Sequence, residues 1–274
     1  MDLKELANPQ NESAADADVN SLADTLAAFS GPVIAAINGH AVTAGFELAL
    51  ACDVILASTK ARFADTHARI GILPGWGLSQ RLPRLIGMQP ALEMILLGKP
   101  VKADKAHKMG IINALAPGAD VVAKAKEWLL ANPDAKAPWD EKGFKVPGGV
   151  PHKDKGAGQV ATFSNTMVNS QTYGNFPAQK NILSCVYEGI QVPIDAGLRI
   201  ETRYFINTQK TPEAKAMIRT LFLSMQALSK GGNRPEGVEK FDVKKVGIIG
   251  AGLMGAGWAR HGDGRLDYLG YEGE

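Results

Sequence analysis

Between Gly39 and Asp53 the chain runs His40-Ala41-Val42-Thr43-Ala44-Gly45-Phe46-Glu47-Leu48-Ala49-Leu50-Ala51-Cys52, and Glu47 is the single carboxylate inside it. That feature constrains the fold. A mostly apolar run of this length belongs in a core, where an unpaired carboxylate is expensive. At helical spacing the neighbours of Glu47 are Thr43, Ala44, Leu50 and Ala51, so no charged stripe draws it towards water. The bland alternative is that Glu47 lies on the wet side of a helix. The small residues ahead of it let a ligand approach the backbone, and N–H groups opening a helix can hold a developing oxyanion. Glu47 therefore reads as a buried, working carboxylate.

The surrounding pattern alternates strand and helix. Pro32–Asn38 is a short β-branched and alanine run suited to a buried strand, Ala44–Cys52 is helical, and Asp53–Ala57 is strand-like again. Pro90–Leu97 and Ala103–Met109 carry helical spacing, closed by Gly98 and Gly110 as C-terminal caps. Ile111–Leu115 reads as a strand and Ala119–Ala131 as a helix; an acidic N-terminal stretch holds a helix near Val19–Phe29. This alternation predicts an α/β domain over residues 1–131 with a largely buried sheet. Residues 132–160, rich in Pro, Gly and Lys, read as a linker or extended loop. Residues 161–243 read as a helical connector without catalytic spacing, and 244–274 as a separate start of a nucleotide-binding fold.

The blocks Pro32-Val33-Ile34-Ala35-Ala36-Ile37-Asn38-Gly39, Ala44-Gly45-Phe46-Glu47-Leu48-Ala49, Cys52-Asp53, Ala61-Arg62-Phe63-Ala64 and Gly71-Ile72-Leu73-Pro74-Gly75-Trp76-Gly77 follow one another in order. With Gln80-Arg81-Leu82-Pro83-Arg84-Leu85-Ile86-Gly87 and the stretch from Ala91 to Gly110, they resemble the enoyl-CoA hydratase/isomerase, or crotonase, family. The resemblance covers residues 1 to about 130. It implies a stacked β-β-α superhelix and addition of water to a 2-enoyl-CoA thioester. It also implies two backbone oxyanion donors, falling on Met1 and Ala44, and substrate contacts at Asp2, Leu3, Gly45 and Thr66. Of the family's two catalytic glutamates, Glu47 matches the first. The second falls on His67, in Asp65-Thr66-His67-Ala68-Arg69, where the usual pattern has Pro-Glu. His67 either relays a proton, which its ordinary pKa suits, or lines the pocket; Asp65 is its candidate orienting partner. The family's first strands would lie upstream of Met1.

The tail holds Lys244-Lys245-Val246-Gly247-Ile248-Ile249-Gly250-Ala251-Gly252-Leu253-Met254-Gly255. A β-branched strand leading into Gly-x-Gly-x-x-Gly is the dinucleotide-binding fingerprint in its proper context. Gly250 makes the tight turn, Gly252 lets the backbone meet a pyrophosphate, and Gly255 allows close packing; Leu253 and Met254 complete the expected NAD-binding turn. These residues resemble the opening of 3-hydroxyacyl-CoA dehydrogenase, whose acid/base His would lie beyond residue 274. No apolar strand leads into Glu272 or Glu274, so neither reads as the ribose-binding acid. Taken in order, a crotonase-like module, a connector and a dehydrogenase start resemble the α subunits of multifunctional fatty-acid β-oxidation complexes. Asn175-Phe176-Pro177-Ala178 and Thr211-Pro212-Glu213-Ala214-Lys215-Ala216 resemble their linking segment. The resemblance implies acyl-CoA as substrate, NAD as cofactor, and self-association or a thiolase subunit as partner.

Composition excludes several classes. Lys and Arg number 30 against 28 Asp and Glu, so no basic field points to nucleic acid. The two cysteines, Cys52 and Cys185, suggest a reducing, cytoplasmic setting rather than a disulfide framework. Met1–Leu6 is neither a signal nor a transit peptide. Glu47 and Asp53 interrupt the best apolar run, so no membrane span is expected. His40 reads as a turn or pocket-edge residue, His107 as a surface residue, His152 and the Lys153/Lys155 pair as parts of the linker, and Trp76 as loop packing. None of the histidines has partners at metal-ligand spacing, so no metal is expected. Cys52, at an apolar helix end, reads as inert. Three readings remain: an enoyl-CoA hydratase module, with isomerisation as the nearest other reaction; an inactive fragment; and a nicotinamide-binding module with a vestigial hydratase half.

Overall fold

The computed structural model describes residues 25–239 together with Gly247, Ile249, Gly250 and Gly252. Met1, Asp2, Leu3, Leu253, Met254 and Gly255 lie outside the described residues, as does the predicted N-terminal helix up to residue 24.

Two small sheets form the frame. The first joins β1 (Ile34–Ile37), β3 (Val54–Ser58) and β6 (Ala114–Ala116), all parallel, with Ile34 opposite Val54 and Leu56 opposite Ala114. The second joins β2 (His40–Val42), β4 (Arg62–Ala64) and β5 (Val101–Lys102); β2 and β4 are parallel, β4 and β5 antiparallel. The chain visits one sheet, then the other, then a helix: β1, β2, α1 (Ala44–Leu50), then β3, β4 and a 3-10 turn at His67–Ile70. This is the β-β-α order that the family resemblance implied.

Strand β3 shows why it must be central. All five of its residues are buried, as a parallel strand covered on both faces requires. Side chains alternate between faces. Ile55 and Ala57 point into the main core, while Val54 and Leu56 enter a second cluster with Ala116, Val121 and Ala125. Val121 and Ala125 lie one helical turn apart on α5 (Val121–Ala131), so that helix covers the far face. Phe46 of α1 meets Phe63 of β4 with ring centroids 5.5 Å apart and planes tilted by 58°, tying helix to second sheet.

Helices α2 (Leu78–Ile86), α3 (Met88–Leu97) and α4 (Ala103–Met109) follow. The predicted caps Gly98 and Gly110 sit at φ of 61° and 85°, the left-handed region that glycine tolerates best. The second sheet was not anticipated from the residues themselves. Its strands are two or three residues long, too short to show a period of two.

Residues beyond 131 correct the expected domain plan. One compact unit extends to Ala227, and the second begins at Leu228. Within 132–160, Ala137 is buried, Val146 and Val150 lean on the main core, and α6 (Lys155–Thr172) has already begun. Helices α7 (Pro177–Gly189) and α8 (Ile194–Gln209) supply Ile182, Cys185, Val186 and Phe205 to that same core. The linker composition was misleading because Pro and Gly mark turns, whether a segment is free or packed. The first unit ends through α9 (Pro212–Met217), capped by Thr211 accepting from Ala214 N–H at 3.2 Å, and a π-helical stretch, Ile218–Ser224.

Arg84 on α2 donates to Gly189 O at 2.8 Å and to Val192 O at 2.7 Å, so it grips the end of α7. A Cβ at Gly189 would sit 2.0 Å from Gln80 Oε1. Gln80 is fully buried and donates to Cys185 O at 3.1 Å, so it cannot swing away. Gly189→Ala is therefore expected to destabilise the first unit by about 1–3 kcal/mol, read as a lower urea midpoint with an unchanged m value.

In the second unit, Gly247, Ile249, Gly250 and Gly252 carry neither strand nor helix, and Ile249 is fully exposed. The expected strand leading into the glycines is thus not formed at the residues described there. A parallel strand is stabilised by flanking strands, and the described residues of this unit include none.

Candidate active site

The site begins at a strained turn. Strand β2 ends at Thr43, whose φ of 55° is uncommon for a β-branched residue. Thr43 N–H donates to Ala64 O at 2.9 Å, and its hydroxyl lies 2.7 Å from that of Thr66. These contacts fix the entry of α1. Thr43 O accepts from Phe46 N–H and Glu47 N–H, while Ala44 and Gly45 are exposed in the first turn. First-turn N–H groups have no intrahelical acceptor, so those of Ala44 and Gly45 are the ones this turn presents. One turn of helix then drives Phe46 and Glu47 inward, Glu47 to 2% exposure.

Glu47 is held by backbone N–H groups of Trp76 and Leu78, at and just before the start of α2. Its Oε1 accepts from Trp76 N–H at 2.7 Å. Its Oε2 lies 3.6 Å from His67 Nε2, too long for a hydrogen bond but close enough for both tips to face one small space. His67, 7% exposed, is fixed from behind: its Nδ1 lies 2.5 Å from Asp65 Oδ1, which also accepts from His67 N–H at 3.3 Å. Asp65 is fully buried, and its Oδ2 has no hydrogen-bond partner. The sequence-predicted pair Glu47 and His67 is thus brought together, with Asp65 as the orienting partner. Thr66 and Gly45 border the same turn.

Charge follows geometry. Burial raises the Glu47 pKa above the usual carboxylate value, opposed by the His67 charge and the Trp76 N–H. Burial alone would lower the His67 pKa. The Asp65 carboxylate outweighs it through charge and hydrogen bond, Glu47 adds to this, and the value rises to about 9. At neutral pH, His67 is therefore an imidazolium whose Nδ1–H is given to Asp65 and whose Nε2–H faces Glu47.

A further residue was missed. Glu201, 1% exposed on α8, accepts from Gly77 N–H, from Ser79 N–H at 2.9 Å, and from the Ser79 hydroxyl. Burial and then the Glu47 charge push its pKa up to about 8. The signal existed: Gly197, Glu201 and Phe205 lie four residues apart, and all three are buried. Reading α8 as a structural connector without catalytic spacing hid it.

The remaining candidates behave as bystanders. His40 and His107 are exposed, and His152 bonds Gln191 across the surface at 3.1 Å. Trp76 contributes its backbone N–H to the site. Burial and then Asp53 push the Cys52 thiol up to about 11, as an unreactive cysteine requires. Among the described residues no His, Cys, Asp and Glu cluster could hold a metal ion, and no helix is long and apolar enough to cross a membrane. Gly250, at φ 101°, suits the tight turn of a dinucleotide loop. The strand that would carry it is absent at the residues described there, however, so Gly250 and Gly252 alone do not make an NAD cradle.

Comparison with known proteins gives the family that the chain resembles. Residues 1–136 match the enoyl-CoA hydratase/isomerase family. The chain is 34% identical over 256 residues to the peroxisomal fatty acid beta-oxidation multifunctional protein MFP2 of Arabidopsis thaliana, covering 92% of this chain and 34% of that protein. It is 37% identical over 237 residues to the fatty acid oxidation complex subunit alpha of Vibrio cholerae, covering 82% of this chain and 32% of that protein. It therefore spans about a third of the length of these curated relatives. An enoyl-CoA hydratase structure from Mycobacterium avium subsp. paratuberculosis shares the fold, with a TM-score of 0.50 and 22% identity over 74% of this chain and 68% of that one.

Proposed function

Because residues 1–136 match the enoyl-CoA hydratase/isomerase family, we propose that the chain binds a 2-enoyl-CoA thioester and adds water across its double bond. The observation that carries this reading is the facing pair: Glu47 Oε2 and His67 Nε2, 3.6 Å apart, each braced on its far side.

The roles follow from charge. Glu47, as carboxylate, accepts a proton from water while the water oxygen bonds to C3 of the enoyl group. The π electrons move to C2 and the thioester oxygen. The His67 imidazolium then delivers its Nε2 proton to C2. One water is added in total, and the proton now on Glu47 passes to neutral His67 to restore the starting state. The developing charge on the thioester oxygen takes the Ala44 N–H, which the family resemblance assigns as a donor; exposure of Ala44 in the first turn of α1 supports this. Met1, the other assigned donor, lies outside the described residues.

His67 in place of a second carboxylate changes the division of labour. Two neighbouring carboxylates must share a proton before one can act as acid. Here Asp65 keeps the acid charged up to about pH 9, so the base and the acid coexist between the raised Glu47 pKa and about pH 9. NAD is the cofactor expected from the glycine fingerprint, but the proposed hydration changes no oxidation state and so contains no nicotinamide step.

The test is direct. The purified chain is mixed with a short 2-enoyl-CoA, and the absorbance of the conjugated thioester is followed at pH 7. Steady loss with formation of the 3-hydroxyacyl product is expected. No loss in a folded sample would overturn hydration, and a shifted double bond without added water would identify isomerisation instead.

A further inference from the structure

The turn Trp76–Ser79 is shared between two buried carboxylates. Trp76 N–H goes to Glu47, while Gly77 N–H and Ser79 N–H go to Glu201. These are the N–H groups at and before the start of α2, which would otherwise lack acceptors. No side chain of the turn caps them; Gly77 occupies the cap position at φ 99°. Glu201 stands in for the missing cap from 122 residues further along the chain, and adds the Ser79 hydroxyl as a third donor. On the other side, Arg81 Nη1 donates to Trp76 O at 2.6 Å, so the peptide next to the Glu47 contact is also held. A Cβ at Gly77 would fall 1.9 Å from that guanidinium, and the φ of 99° favours glycine there.

We propose that Glu201 is a positioning residue for the Glu47 site: by holding Gly77 and Ser79 it aims the Trp76 N–H at Glu47 Oε1. Burying a second carboxylate beside the first is costly unless its hydrogen bonds are complete, and Gly77 N–H, Ser79 N–H and the Ser79 hydroxyl converge on it. Helix α8, outside the 136 residues matched to the family, is on this reading part of the catalytic unit. The inference rests on Glu47 being the working carboxylate.

Three variants of the full chain separate the possibilities. Glu201→Gln keeps the size but removes one acceptor oxygen and the charge that Glu201 carries above about pH 8. Glu201→Asp keeps the charge but withdraws it by one methylene. Ser79→Ala removes a single donor and disturbs the fold least. The first readout is the backbone amide proton resonance of Trp76, which needs no turnover. It is expected to move upfield in both Glu201 variants, as its hydrogen bond to Glu47 slackens, and by less in Ser79→Ala. The second is hydration kinetics: kcat falls about ten-fold or more in the Glu201 variants while KM stays within about two-fold, as misplacement of a reacting group requires. The third is the His67 imidazole titration, whose midpoint is expected to fall by about half a pH unit in Glu201→Gln and to hold in Glu201→Asp. A folded Glu201 variant with the parent's Trp76 resonance and kcat would overturn the proposal. If neither Glu201 variant folds, Ser79→Ala decides, and an unmoved Trp76 resonance there is equally fatal. A parent chain without hydration activity would sink the enzymatic reading, yet the Trp76 resonance would still decide the positioning role.

Discussion

Replacing Glu47 by Gln is expected to lower hydration of a short 2-enoyl-CoA by about two to four orders of magnitude, the range by which a positioned acid or base contributes. Gln retains an oxygen to accept the Trp76 N–H and differs little in volume, so the site keeps its shape. What disappears is the carboxylate that takes the proton from water. Stability is expected to move the other way. The Glu47 pKa is raised on folding, so ionising it at neutral pH opposes the folded state. A group of this kind favours folding below its unfolded value of 4.5, and that advantage is lost as pH rises through its folded value. Gln has no such charge, so at pH 7 the variant is expected to melt at or above the parent temperature. An inactive variant with an unchanged or higher melting temperature assigns the loss to chemistry. A variant with parental kcat would remove Glu47 from the mechanism.

Asp65→Asn is expected to have the second large effect, and it appears in the pH profile. In the parent, activity requires ionised Glu47 and protonated His67. It rises on the acid side as Glu47 loses its proton, above the ordinary carboxylate range, and falls on the alkaline side near pH 9 as His67 loses its own. Asn at 65 can still orient the ring by accepting from Nδ1–H, but it removes the charge that outweighs burial. His67 then has no carboxylate behind it, and its desolvation drives the value down towards or below the ordinary imidazole value of 6.5. The alkaline limb is expected to retreat by about two pH units, and activity at pH 8 to fall about ten-fold from the lost imidazolium fraction. The measurement is kcat/KM across pH 5–10 for parent and variant. An alkaline limb that stays near pH 9 in Asp65→Asn would show that His67 is not the acid. The same pairing makes a stability prediction. The His67 value is raised on folding, so its contribution is fully present below about 6.5 and is lost as pH rises through about 9.

The origin of the unusual second residue becomes clear in this setting. A carboxylate at position 67 would face Glu47 across a few ångströms with Asp65 at its back, placing three negative groups in one buried space. An imidazolium between Glu47 and Asp65 makes two neighbouring attractions instead.

The sequence by itself determined the parts that rest on local chemistry. The small-residue turn before Glu47, the alternation of strand and helix from residue 32 to 131, the glycine caps at 98 and 110, and the pairing of Asp65 with His67 all express local rules. Cap geometry, side-chain period and two-residue spacing act over a few positions, so they are written in the order of residues. Burial of Glu47 was legible too, because an uninterrupted apolar run leaves a carboxylate nowhere else to go. Only the tertiary structure decided the rest. Strands of two or three residues in the second sheet owe their existence to partners such as Phe46 on Phe63, not to a pattern of their own. Residues 132–227 join the first unit because α7 and α8 fill its core with Ile182, Cys185 and Phe205, a matter of complementary surfaces that composition does not encode. Glu201 completes the start of α2 across 122 residues of chain, and no local rule links those positions. The distance between Glu47 and His67 is of the same kind: it is set by how two turns from different sheet strands stack, and only folding brings their tips to one point.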